Sequence, residues 1–263
     1  MGRLNDILIE ADGLGRRFAR CEALSQVSFS VTRGELVALL GPNGSGKTTA
    51  LRLLAGVIPP TEGYARLGGL DVTLHSLAVR RRMGYLPEAT PLYSEMRVEE
   101  YLVYRGRVRG LKGAHLMLRL HEVVEHCGLG TWAKRPIGVL SHGLRRRVAL
   151  ADCLLHSPDV LLLDEPLDGL DAAQAAMLRG LLVDLSADCA IVFSTHALAE
   201  VETLCQRVLI LSGGRLVADG DPKGLIAAQS GAQTFEQAFI RMTAQAETMR
   251  NMAGVTPRRR KGP

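Results

Sequence analysis

An apolar run without a polar interruption, Leu36-Val37-Ala38-Leu39-Leu40, leads directly into Gly41-Pro42-Asn43-Gly44-Ser45-Gly46-Lys47-Thr48-Thr49. The second segment fits G-x-x-x-x-G-K-[ST] at every fixed position. An apolar run with no alternation is how a strand buried on both faces reads, so the chain must pass from strand through a glycine-rich turn into a helix. Glycines allow a turn tight enough for backbone N–H groups to converge. The helix that follows begins with unsatisfied donors and the positive end of its dipole. A phosphate is therefore expected against Gly41, Pro42, Asn43, Gly44, Ser45, Gly46, Lys47, Thr48 and Thr49. Lys47 is expected to reach β- and γ-phosphates, and the Thr48 hydroxyl to ligate Mg²⁺.

A second apolar run, Val160-Leu161-Leu162-Leu163, ends in Asp164-Glu165-Pro166. Adjacent side chains on an extended strand point opposite ways, but the end of a strand can present both acids near one phosphate. Asp164 is read as a Mg²⁺ ligand, and Glu165 as the carboxylate that polarises an attacking water. The phosphate loop alone does not separate a kinase, a GTPase and a transporter ATPase.

The rest of the chain reads as an α/β protein. Strands are expected over residues 7–10, 27–31, 35–40, 64–72, 83–86, 160–164, 190–194, 207–211 and 215–219. Helices are expected over 47–55, 98–108, 116–127, 172–186, 198–205, 223–228 and 235–249, with 128–138 as a loop. Ser141 is placed to cap a further helix running to about His156. The helical stretch in the middle reads as an insertion into the α/β core.

Composition excludes several classes. No run approaches the ~18–20 apolar residues that cross a bilayer, and residues 1–6 carry no apolar leader. Five cysteines, Cys21, Cys127, Cys153, Cys189 and Cys205, are scattered and form no Cys-x-x-Cys pair. They are expected to be reduced, and no metal site is expected among them. The net charge is +5, but Arg258-Arg259-Arg260-Lys261 supplies four of those charges. The remainder is nearly balanced, so no nucleic acid is expected as a partner; the basic tail is expected to be solvated. His75, His115, His121, His126 and His156 have no motif around them and are read as surface or packing residues.

Five further segments give a resemblance to the nucleotide-binding domains of ABC (ATP-binding cassette) transporters. Leu140-Ser141-His142-Gly143-Leu144, followed by Arg145-Arg146-Arg147, resembles the family's Leu-Ser-Gly-Gly-Gln signature. Asp168-Gly169-Leu170-Asp171 resembles the D-loop, Ser194-Thr195-His196 the switch histidine, and Leu86-Pro87-Glu88 the Q-loop. Phe18 corresponds to the aromatic residue that stacks on adenine. Residues 84–102 resemble exporter ATPases of the drug-resistance and gliding-motility type, which commonly carry glutamate at the position of Glu88.

The resemblance implies a P-loop NTPase core of ABC type with an antiparallel β subdomain and an inserted α-helical subdomain. Residues 1–230 are expected to form the nucleotide-binding domain, with the helical insertion at about 89–157; residues 231–263 are expected to be a C-terminal helix and the basic tail. ATP and Mg²⁺ are the implied cofactors. Glu165, His196 and Lys47 are the implied catalytic residues, and Thr48, Glu88 and Asp164 the metal ligands. Ser141, Gly143 and Asp171 are implied to meet a nucleotide held by a second ABC ATPase subunit, identical or not. An integral membrane permease subunit is the implied partner, so the expected location is cytoplasmic, peripheral on the inner face of the cell membrane. The alternative is a soluble ABC ATPase acting on ribosomes, DNA or assembly. Leu144 in place of the signature glutamine is expected to remove a polar group from the dimer seam. One arginine of Arg145, Arg146 and Arg147 is expected to serve the site, with the others solvated or paired with acids.

Overall fold

The computed structural model describes residues 7–19 and 21–252. The basic run from Arg258 to Lys261 lies outside these residues. The chain opens with two long antiparallel strands, β1 (Ile7–Phe18) and β2 (Cys21–Thr32), followed by β3 (Leu36–Leu40) and helix α1 (Lys47–Leu54). Next come β4 (Glu62–Leu67), β5 (Leu70–Asp71), α2 (Ser76–Arg82) and β6 (Met83–Leu86). Three helices then succeed one another: α3 (Val98–Val108), α4 (Gly113–His126) and α5 (His142–Leu154). Beyond them β7 (Val160–Asp164), α6 (Ala172–Ser186), β8 (Ala190–Thr195), α7 (Leu198–Leu204) and β9 (Arg207–Ser212) alternate. The described chain closes with β10 (Arg215–Gly220), α8 (Pro222–Ala228) and α9 (Phe235–Met252).

Two sheets result. One is antiparallel, in the order β2-β1-β4-β5; the other runs β10-β9-β3-β8-β7-β6. In the second sheet every pair from β9 to β6 is parallel, and only β10 is antiparallel to its neighbour. Residues of its central strands alternate between two cores. Val37, Leu39, Leu162, Val192 and Leu209 pack with α1 and the antiparallel sheet. Ala38, Leu40, Leu161, Leu163, Phe193 and Ile210 face the side built by α3 to α7 and α9. Both faces are dry, which is why these strands are apolar throughout instead of alternating.

Several elements differ from the sequence expectation. β1 and β2 each span 12 residues, far beyond 7–10 and 27–31, because repeated register shifts between them break the alternation by which a strand is recognised. The single strand expected over 64–72 is two, turning at Gly68-Gly69. α2 was not expected; it buries only Val79 and so carries no apolar stripe. The loop over 128–138 holds two single 3₁₀ turns, Gly130–Trp132 and Ile137–Val139. No helix among the described residues is long and apolar enough to cross a membrane.

Of the cysteines, Cys127, Cys153, Cys189 and Cys205 are buried and Cys21 is exposed, all as free thiols. Burial pushes each of the four buried thiols up to about 12, so none carries reactive thiolate.

Candidate active site

Parallel strands bring their carboxyl ends to one edge of the sheet, where open α/β proteins bind ligands. Here the adjacent ends of β3, β8, β7 and β6 carry, in that spatial order, the glycine loop, His196, Asp164-Glu165 and Glu88. A cleft of about 600 Å³ opens there, walled by Asn43, Gly44, Lys47, Thr48, Glu165 and His196 among others.

The glycine loop is shaped by close approaches. A Cβ on Gly41 would lie 2.3 Å from the Leu211 carbonyl oxygen and 2.5 Å from Ser45 Oγ. Gly46, the N-cap of α1, has φ 110°, and a Cβ there would lie 2.8 Å from the Ala23 carbonyl oxygen. No side chain caps α1, so the donors of its first turn and its positive dipole end face the cleft. Such an arrangement is suited to an anion.

Asp164 is 1% exposed. Its Oδ1 accepts hydrogen bonds from Ser194 Oγ at 2.6 Å and Thr48 Oγ1 at 3.2 Å, while Oδ2 is buried without a partner. An orphaned carboxylate oxygen beside a threonine hydroxyl is suited to a hard divalent cation, which takes one or two carboxylates and leaves its other positions to phosphate and water. Glu165 leaves the strand with φ 49°, a left-handed conformation that is strained for a side chain of this size. The turn sends Glu165 into the cleft while Asp164 stays buried below it. Glu165 Oε1 lies 3.8 Å from Lys47 Nζ, and Oε2 lies 3.1 Å from His196 Nδ1. Lys47 Nζ donates to the carbonyl oxygens of Gly41 at 2.8 Å and Pro42 at 3.4 Å. Burial holds the Lys47 ammonium below its usual range, opposed by the charges of Glu165, Asp164 and Glu88.

Ser194 is a member of the site that sequence reasoning did not single out. Its hydroxyl donates to Asp164 and accepts from the Glu165 N–H at 2.9 Å, fixing both acids from the next strand. It is the parallel register that sets Asp164 beside Ser194, a long-range pairing that no local sequence pattern gives. Cys21, Glu22, Ala23, Asp168, Gly213 and Gly214 also line the cleft.

Other expected residues sit elsewhere. Phe18 ends β1, 43% exposed, with the Arg16 guanidinium 4.7 Å from its ring centroid, and it is not part of the cleft wall. Ser141 caps α5 by accepting the Leu144 N–H at 3.3 Å, and Gly143 is buried against Gln174 and Leu170. Neither belongs to the cleft wall of its own chain. Asp171 caps α6, accepting the Gln174 N–H at 2.8 Å, and within the chain it is Asp168, not Asp171, that reaches the cleft. Leu144 is 6% exposed and packed in the helical core, and offers no polar group at the surface of α5. The three arginines diverge, as their spacing on a helix requires. Arg145 bonds the Leu140 carbonyl and Arg147 the Gly128 carbonyl, neither an acid; Arg146 is buried and bonds only carbonyl oxygens next to the acids of the cleft.

Comparison with known proteins gives a consistent result. Residues 24–168 match the family model described as ABC transporter. The chain is 38% identical over 217 residues to the uncharacterized ABC transporter ATP-binding protein YxlF of Bacillus subtilis, covering 81% of this chain and 71% of that one. It is 36% identical over 230 residues to the Nod factor export ATP-binding protein I of Ralstonia nicotianae, covering 87% and 72%. A solved ATP binding subunit of an ABC transporter superposes with a TM-score of 0.83 at 28% identity, over 90% of this chain and 99% of that one.

Proposed function

Because the chain belongs to the ABC transporter ATP-binding family, we propose that two subunits close head to tail on ATP and Mg²⁺ and reopen on hydrolysis, driving export through a separate permease. The protein is an ATP-binding, ATP-hydrolysing subunit of an ABC transporter, with a P-loop ABC-type fold. Its relatives are ATP-binding subunits of transporters, which implies a membrane permease as partner and leaves no support for the soluble alternative. Export is the direction assigned because a relative is named for Nod factor export. The working location is then the inner face of the membrane, through the permease.

The observation that carries the two-subunit reading is a division of groups. Lys47, Glu165 and His196 converge on one cleft, whereas Ser141 and Gly143, at the start of α5, line no part of it. A helix start with a serine at its tip is suited to phosphate, and in this reading a second subunit brings one to the open side of the cleft. On ATP binding Lys47 exchanges the Gly41 carbonyl for β- and γ-phosphate oxygens. Thr48, Asp164 and Glu88 are the residues that would hold Mg²⁺, whose role is to neutralise charge on the phosphates. Glu165 accepts the proton of the attacking water, with its Oε2 steadied by His196.

The test is Glu165→Gln in the full chain. It should retain ATP binding, lose about 10²–10⁴-fold in turnover and elute as an ATP-dependent dimer. Turnover at the wild-type rate, or a variant that stays monomeric with saturating ATP and Mg²⁺, would remove the general base or the two-subunit site from the reading.

A further inference from the structure

Strands β6 and β7 are parallel neighbours whose last register pair is Leu86 with Leu163. Beyond that pair the two chains leave the ladder, and the carbonyls of the next residues need other donors. Thr90 Oγ1 donates to the Pro87 carbonyl at 3.2 Å and the Asp168 N–H to that of Glu165 at 3.2 Å, but only one side chain reaches both loops. Arg146 Nη1 donates to the carbonyl oxygens of Pro87 at 2.9 Å and Glu88 at 2.7 Å. Its Nη2 donates to the carbonyl oxygens of Glu165 at 2.8 Å and of Asp164. The residue is 6% exposed, so this is an internal brace and not a surface contact. Glu88 and Glu165, whose backbones it holds, both send carboxylates into the cleft.

We propose that Arg146 is a positioning residue for ATP hydrolysis: its guanidinium sets the spacing of the Glu88 and Glu165 arms and ties it to the helix that begins at Ser141. It touches neither substrate nor reacting atoms. It acts through the two loops, and it stands on α5 little more than one turn after the serine cap. Movement of that helix on subunit closure is thus delivered to the acids of its own cleft. The neighbouring arginines cannot substitute, since Arg145 and Arg147 point to the Leu140 and Gly128 carbonyls. The brace depends on a planar fork with four donors on two separated nitrogens. Lysine presents its donors from one atom, and glutamine has a single amide nitrogen; neither spans both loops.

The inference rests on the ATPase reading above, and the experiment separates the two. Steady-state ATPase kinetics and thermal melting are measured on the full-length wild type, Arg146→Lys and Arg146→Gln, with Mg²⁺ titrated at saturating ATP. A misplacement of about 1 Å at a reacting group costs ~10²-fold, so both variants should lose about 100-fold in kcat. KM for ATP should change by less than about threefold, because the glycine loop is untouched. The Mg²⁺ concentration for half-maximal rate should rise, because Glu88 is released. A merely structural role predicts instead a joint loss of melting temperature and ATP affinity. Wild-type kcat in Arg146→Lys, a parallel fall in affinity and stability, or failure of both variants to fold would overturn the proposal. An inactive wild-type chain would sink the ATPase reading instead.

Discussion

Acid should loosen the junction between the helical segment and the sheet through His156. This residue follows α5, with Nε2 3.1 Å from the Met83 carbonyl oxygen at the start of β6 and 3.2 Å from Arg109 Nη1 on the far side. Its Nδ1 is buried without a partner. Burial above all, then the charge of Arg109 and more weakly that of Arg119, pushes the imidazole down to about 4; the Met83 carbonyl and Asp152 pull the other way. A free histidine titrates near 6.5. As pH falls, the unfolded chain takes up this proton first, so the stabilisation is complete above about pH 6.5 and is lost towards pH 4, with no further loss below. The full gap corresponds to about 3 kcal/mol, of which about 2 kcal/mol is gone by pH 5. Urea unfolding at pH 7 and pH 5, for wild type and His156→Gln, measures it. Glutamine does not titrate, and other groups titrate alike in both proteins, so the difference of the two differences isolates the imidazole. Wild type should lose about 2 kcal/mol more than the variant between the two pH values. Equal losses would show that His156 is not held neutral by its surroundings.

Two further outcomes follow from the glycine loop. Lys47→Ala removes the ammonium that lies 3.8 Å from Glu165, and nucleotide binding or turnover should be abolished, as read by ATP titration and phosphate release. Gly41→Ala puts a methyl 2.3 Å from the Leu211 carbonyl oxygen, which is backbone and cannot swing aside; it should cost about 1–3 kcal/mol, a melting temperature lower by several degrees, and a weaker ATP affinity.

What the sequence disclosed depended on how local the cause was. Helices α3 and α6 and strands β6 and β7 have the bounds expected of them, since apolar runs or stripes end there at strong breakers or caps. Strands β1 and β2 extend further than expected because pairing across bulges, a long-range property, prolongs them. Asp171 was legible both ways: Asp-x-x-Gln from Asp171 to Gln174 is a capping pattern as well as part of the D-loop resemblance, and within the chain the cap is what it makes. That one arginine of the three would serve the site was legible, but which one, and through what contacts, was not. Spacing showed that three consecutive arginines diverge, but only packing reveals that one of them turns inward to carbonyls 18 and 59 residues away.

The departures from the family signature take on a different weight once their surroundings are known. Leu144 was expected to cost a polar group at the seam; its side chain lies in the helical core, and its N–H binds Ser141 Oγ. The serine cap depends on the backbone of residue 144, so a change of side chain leaves Ser141 aimed as before. Glu88 matters more. Its carboxylate joins Asp164 and Glu165 around Lys47, and all three charges act on that ammonium. Three acids against one buried lysine make the cleft unfavourable for a free triphosphate, despite the donors of the glycine loop. Thr48, Asp164 and Glu88 are the residues that would hold a divalent cation here, and its two positive charges would offset the carboxylates. If the proposed reading holds, glutamate at position 88 should tie nucleotide binding more closely to Mg²⁺, so ATP affinity of Glu88→Gln should depend less on Mg²⁺ than that of the wild type, as read by ATP titration with and without the metal.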